Sequence, residues 1–292
     1  MVAKQAKRLQ SAIAAKDPRK HFQLGADYNT EWARTPVARA VRVSAIEGIT
    51  RPLIKIIASP TVLNADRLDE VTGPVIFAAN HTSHLDTSVM LSCLPPRFRH
   101  KSVVAAGADY FFDKHIKAFV WALWVNIIPI ERERVGRRSA DLAARLIGSG
   151  WNLVIFPEGT RSRDGFTAPF RGGAAYLGVR CNVPVVPVHI EGTRAIFGVG
   201  ARRIRPGKTR VTFGEPLTAL PNEKARDFNV RIEQAVARAG DEGRTDWWSA
   251  GRRSVAGETP SLDAPPYAEG WRRSWIGSKP AEIERAAPWP KR

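Results

Sequence analysis

The chain has 292 residues, 43% of them hydrophobic, which suits one large α/β domain with extensions. Its two cysteines, Cys93 and Cys181, exclude a disulfide framework and read as small buried hydrophobes in a reducing compartment. The formal charge of +17 points to anionic partners: lipid surfaces, phosphorylated substrates or nucleic acid.

Residues 1–60 read as basic amphipathic N-terminal helices, frayed over 1–30, with no apolar stretch of the kind a secretory leader needs. Val37, Val41, Ile46, Ile49, Leu53, Ile54, Ile56 and Ile57 predict one or two helices over 31–58, with Pro52 breaking or starting the second. Packing on the core and contact with lipid are both open for this pair. Pro74-Val75-Ile76-Phe77-Ala78-Ala79 predicts a short buried strand, and Ser102-Val103-Val104-Ala105-Ala106 a second. Residues 109–124 predict a helix with Phe111, Phe112, Ile116, Phe119, Val120 and Leu123 on one apolar face; Trp121 and Trp124 read as core or as an interface anchor. The uncharged run from Ala118 to Ile130 is shorter than the roughly 20 residues a spanning helix needs.

Residues 126–130 predict a strand, 139–146 a helix ended by Gly148 and Gly150, and 153–156 another strand. A short helix follows over 171–180. Residues 183–190 read as extended, and Pro184 and Pro187 argue for an edge or irregular strand. A last strand over 210–214 and an amphipathic helix over 222–239 complete the pattern. Strands alternate with helices, so the expected fold is α/β: a mostly parallel or mixed central sheet covered by helices. The expected division is 1–60 for the N-terminal helices, 61–240 for the catalytic domain and 241–292 for an irregular, extended Trp- and Pro-rich tail. Trp247, Trp248, Trp271, Trp275 and Trp289 suggest that this tail drapes on the domain or on a membrane. The run Arg202, Arg203, Arg205, Lys208 and Arg210 holds no acid and reads equally as a solvated loop or a binding patch.

The chemistry concentrates at two strand ends. Asn80-His81-Thr82-Ser83-His84-Leu85-Asp86 joins the first predicted strand to a helix, and Ser83 with Asp86 resembles a capping box. His81 and Asp86 are wrongly spaced to stack on a helix, but a turn lets Asp86 accept a hydrogen bond from His81. That pairing fixes the tautomer and leaves the other ring nitrogen free to take a proton from a bound hydroxyl. A solvated His-Asp pair and a metal site using His81, His84 and Asp86 are the competing readings. Pro157-Glu158-Gly159-Thr160-Arg161 follows another strand. There a glycine permits close backbone approach, Arg161 offers a fork for phosphate, and Glu158 can orient an acceptor hydroxyl. Arg132, at the end of a third strand, offers a second fork.

These blocks resemble the glycerolipid acyltransferases, the 1-acylglycerol-3-phosphate O-acyltransferase family. Asn80 to Asp86 looks like the family's His-x4-Asp motif. Ile128-Pro129-Ile130-Glu131-Arg132 resembles its second block, with Glu131 where the family often has Asp. Phe156-Pro157-Glu158-Gly159-Thr160-Arg161-Ser162 resembles its third, and Val183-Pro184-Val185-Val186-Pro187-Val188 its fourth. The resemblance covers roughly residues 70–215. It implies that His81 is the general base and Asp86 its partner. It also implies that Glu158, Gly159, Thr160 and Arg161 bind the acceptor and Arg132 its phosphate, with no metal and no cofactor. The implied reaction moves an acyl chain from acyl-CoA or acyl carrier protein to lysophosphatidic acid, making phosphatidic acid at the cytoplasmic face of an anionic membrane. Another lysophospholipid or glycolipid acceptor is an alternative. So is a non-catalytic membrane or nucleic-acid binder on the same fold, although no aromatic-interleaved basic stripe of the nucleic-acid type is present.

Overall fold

The computed structural model describes residues 24–25, 28–131 and 137–263. Helix α1, Pro36–Ala45, begins on Thr35, whose hydroxyl accepts from the Ala38 N–H at 3.4 Å. Pro36 takes the first helical position, where a missing donor costs nothing. The helix continues through a wider, π-type turn, Ile46–Thr50, into α2, Arg51–Ala58. Pro52 sits in the first turn of α2. In a regular helix its ring would collide with the carbonyl four residues back, and the wider turn relieves that clash. Pro52 thus starts the second helix of the pair.

The strands are β1 (Pro60–Leu63), β2 (Ile76–Ala79), β3 (Ser102–Gly107), β4 (Ile127–Ile130), β5 (Asn152–Ile155), β6 (Val185–Glu191) and β7 (Thr209–Phe213). They form one sheet in the order β1-β7-β6-β2-β5-β3-β4. Every neighbouring pair is parallel except β6 with β7. The remaining helices are α3 (Asp86–Cys93), α4 (Pro96–Arg99), α5 (Ala108–Phe111), α6 (His115–Val125), α7 (Arg137–Gly148), α8 (Gly173–Cys181), α9 (Thr193–Phe197), α10 (Ala225–Arg244) and α11 (Trp247–Ala256).

Side chains alternate across each strand, so the sheet feeds two cores. Phe77, Ala79, Val104 and Val154 pack with Ile54, Val89, Met90, Ala118 and Ala122 on one face. Ile76, Ala78, Val103 and Leu153 pack with Ile147, Ala174, Phe228 and Ile232 on the other. All of β2 is buried, as a parallel strand covered on both faces should be. Each fully buried Phe77, Phe213 or Phe228 side chain contributes roughly 1.5–3 kcal/mol.

Four elements depart from expectation. Strand β6 is interior, not an edge, despite Pro184 and Pro187. Its Pro187 carbonyl accepts from Gly214 N–H at 2.8 Å just where the β7 ladder ends, so the missing Pro187 donor faces the end of β7 and not a strand partner. The helix expected over 109–124 is two helices, and α6 buries Ala118 and Ala122 while leaving Ile116 82%, Phe119 48% and Val120 48% exposed. Strand β1 had no periodic signal of its own. Finally, the helical pattern runs past residue 240 instead of giving way to an extended tail. Asp241 and Glu242 are buried in α10 by ion pairing, with Arg253 at 2.7 Å and Arg67 at 2.7 Å, so α10 and α11 hold residues 241–256 against the domain. Residues 264–292, with the last three tryptophans, lie outside the described residues. No helix among the described residues is long and apolar enough to cross a membrane.

Candidate active site

The parallel strands β6, β2, β5, β3 and β4 end on one edge of the sheet, and their following loops converge there. Asn80 extends β2 with its side chain: Nδ2 donates to the Ile190 carbonyl at 2.9 Å, and Oδ1 accepts from Ile190 N–H at 2.7 Å. The next residue, His81, is gripped by its main chain. Its N–H donates to Glu158 Oε1 at 2.6 Å, and its carbonyl accepts from Ser162 N–H at 2.8 Å. Two of the sequence blocks are therefore stitched together across β2 and β5.

His81 and Asp86 meet as expected. His81 Nδ1 lies 2.8 Å from Asp86 Oδ2. With the carboxylate accepting there, the proton sits on Nδ1 and Nε2 carries the free lone pair. The ring stacks on Phe156, with centroids 4.1 Å apart. Asp86 is fully buried at the first turn of α3 and also accepts from the N–H groups of Thr82 at 2.7 Å and Ser83 at 2.8 Å. Only this return half of the capping box forms. The Ser83 hydroxyl does not cap α3; it donates to the Phe197 carbonyl at 2.7 Å.

The last Asp86 oxygen, Oδ1, accepts from the Thr193 hydroxyl at 2.5 Å. Thr193 is fully buried at the start of α9 and was missed in the sequence, where it is an unremarked hydroxyl after a strand. Gly192 aims it. That residue has φ +88, and a Cβ there would lie 2.4 Å from the Lys208 carbonyl oxygen, so only glycine fits.

The block after β5 divides by role. Glu158 does not face the cavity; its oxygens take the N–H groups of His81 and, at 2.9 Å, Ala168. Burial pushes its carboxyl up to about 7 against those two bonds, which pull it down. In this structure it braces the His81 backbone from outside the cavity lining. Gly159, Thr160 and Arg161 do line the cavity. Gly159 has φ +75, and a Cβ there would meet Arg171 Nε at 3.0 Å. Arg161 hydrogen-bonds His84 Nδ1 and lies over the Tyr110 ring, 4.8 Å from its centroid. Burial first, and Arg161 second, hold the His84 ring below its ordinary range. Asp86 and Arg161 thus turn His81 and His84 to different tasks, and among the described residues no group of three ligating side chains converges for a metal. Arg132 lies outside the described residues.

His81, His84, Arg161 and Arg171 open into a cavity of about 530 Å³. Most of its lining is apolar: Val104, Ala106, Phe111, Trp121, Val125, Ile127, Ile155 and Leu177 contribute from the sheet and its neighbouring helices.

Residues 59–191 match the model of the acyltransferase family. The matched residues, just under half of the chain, resemble that family. The acyltransferase segment is 32% identical over 162 residues to the chloroplastic 1-acyl-sn-glycerol-3-phosphate acyltransferase BAT2 of Brassica napus, covering 52% of this chain and 43% of that one. It is 29% identical over 151 residues to the mouse alpha enzyme of the same name, covering 50% and 51%. The chain spans about half the length of such curated relatives. The crystal structure of the LPA acyltransferase PlsC from Thermotoga maritima shares the fold, with a TM-score of 0.57 and 23% identity over 73% of this chain and 83% of that one. The acyltransferase match ends at residue 191, before Thr193.

Proposed function

We propose that this chain transfers a fatty acyl group from a thioester donor, acyl-CoA or acyl carrier protein, to lysophosphatidic acid, yielding phosphatidic acid at a membrane surface. The observation that carries the reading is the His81–Asp86 pair, with His81 on the wall of a largely apolar cavity. The acyl chain fills the cavity, and its thioester carbonyl comes to rest beside His81. His81 Nε2 takes the acceptor hydroxyl proton as that oxygen attacks the carbonyl carbon. The tetrahedral intermediate collapses, the carbon–sulfur bond breaks, and the imidazolium returns the proton to the departing thiolate. No acyl-enzyme forms. Arg161 and Arg171, at the polar end of the cavity, suit the acceptor phosphate.

The membrane reading draws on one set of exposed side chains: Val37 75%, Leu53 50%, Ile56 73% and Ile116 82% on α1, α2 and α6. Such apolar faces belong to helices that lie in a lipid interface. Both cysteines are free, which fits the cytoplasmic side.

The test is acyl transfer from oleoyl- and palmitoyl-CoA to lysophosphatidic acid, with vesicles present, for wild type and His81→Ala. Thiol release with phosphatidic acid from wild type is expected, with a loss of about 10²–10⁴-fold in the variant. Thiol release without phosphatidic acid moves the acceptor to another lysolipid. An undiminished His81→Ala enzyme overturns the mechanism.

A further inference from the structure

We propose that the basic loop at residues 201–208 is an anionic-lipid contact that seats the cavity mouth against negatively charged membrane. This rests on the membrane reading above and adds which lipids the surface selects. Arg202, Arg203, Arg205 and Lys208 are exposed, and so are Val199 at 39% and Ile204 at 45%, beside and between the arginines. Arg210, by contrast, pairs with Glu191 at 3.1 Å and belongs to the fold. The loop thus sets exposed apolar side chains among its cations. An interfacial segment needs both: the apolar groups sink below the headgroups while the guanidinium groups stay level with the phosphates.

The loop is also pinned where such a contact is useful. Gly207 N–H donates to the Ile57 carbonyl at 2.9 Å, and the Thr209 hydroxyl to the Ala58 carbonyl at 2.9 Å. These bonds fasten it to the end of α2, one residue from the exposed Ile56. Arg205 N–H donates to the Ile196 carbonyl at 3.0 Å. The neighbouring Phe197 carbonyl accepts from His84 N–H at 3.2 Å and from the Ser83 hydroxyl. Ile204 lines the cavity as well. The same segment therefore bonds the end of the apolar helix pair, lines the cavity, and is tied to Ile196, whose neighbour Phe197 bonds the turn that carries His81. Phosphate groups of the leaflet are the ligands its charge fits.

The test is partitioning of the full chain onto vesicles of phosphatidylcholine alone and of phosphatidylcholine mixed with phosphatidylglycerol, at low and raised salt. The variant is Arg202→Ala/Arg203→Ala/Arg205→Ala. Wild type should prefer the anionic vesicles, and raised salt should erase the preference. The triple variant should bind neutral vesicles as wild type does and lose about a hundredfold on anionic ones. Its acyl transfer in detergent should be unchanged. A variant that keeps the anionic preference overturns the proposal. So does a raised donor KM in detergent with unchanged vesicle binding, which would give the loop to the phosphates of coenzyme A. Wild type that binds neutral and anionic vesicles alike overturns the loop's role but spares the helices. Wild type that binds neither overturns the membrane reading too.

Discussion

Two buried carboxylates hold the same histidine in opposite ways. Asp86 bonds the ring of His81, and Glu158 bonds its main chain. Both accept backbone N–H donors. Asp86 has two backbone partners besides the ring, and a hydroxyl, from Thr193, closes its shell. Glu158 has two backbone N–H groups and no side-chain donor, and its carboxyl is pushed up to about 7. The carboxylate that, on the proposed mechanism, faces an imidazolium has four donors. One that only fixes geometry has been given two.

The comparison breaks first at Asp86. Asp86→Asn keeps the shape but presents either an amide donor or a neutral oxygen to Nδ1, so the imidazolium loses its stabiliser. We expect kcat to fall about 10³-fold with little change in either KM, by the logic of the serine-hydrolase triad. A mild loss would make Asp86 a structural residue like Glu158. Thr193→Ala should cost about tenfold in kcat, the worth of one hydrogen bond to a charged group, and should shift the acid limb of the pH–rate profile. Thr193→Ser should restore both. If serine fails to restore the profile, the threonine acts through packing and not through its hydroxyl.

Glu158→Gln should change kcat least and pH dependence of stability most. The folded chain holds a proton on Glu158 up to about pH 7, whereas the unfolded chain releases it near 4.5. The stability from this group is therefore full below the lower value and is lost as pH rises through the upper one. The stability of wild type relative to the glutamine variant should fall by about 3 kcal/mol across that window in denaturant titrations. A gap independent of pH would show that Glu158 stays ionised on its two N–H bonds.

Much of this arrangement was legible in the chain. The apolar run before His81 predicts a buried strand, the spacing to Asp86 requires a turn, and the parallel pattern brings the loop after β5 alongside. What escaped depended on distant partners. Glu158 reads as a ligand because its sequence neighbours are polar, and only the fold shows Ala168 and His81 closing over it. Thr193 opens a helix at no fixed spacing from the other blocks, and its hydroxyl reaches Asp86 because β6 runs beside β2. Asp241 and Glu242 look like the end of a helix until Arg253 and Arg67 bury them. Pro184 and Pro187 signal an edge, yet Pro184 precedes β6 and the missing donor of Pro187 falls where no strand needs it. Ile116 and Phe119 suggest core, but the alanines of α6 are what the domain takes in.

Strand β1 has one neighbour, β7, and Arg67 beyond it donates to the Phe213 carbonyl at 2.8 Å and pairs with Glu242. Both partners come from the far end of the domain. A nascent chain leaving the ribosome therefore carries α1 and α2 into the open while the edge they lead into has nothing to pair with. Pairing of β1 waits for translation of β7, and its bracing by Arg67 waits for Glu242 in α10.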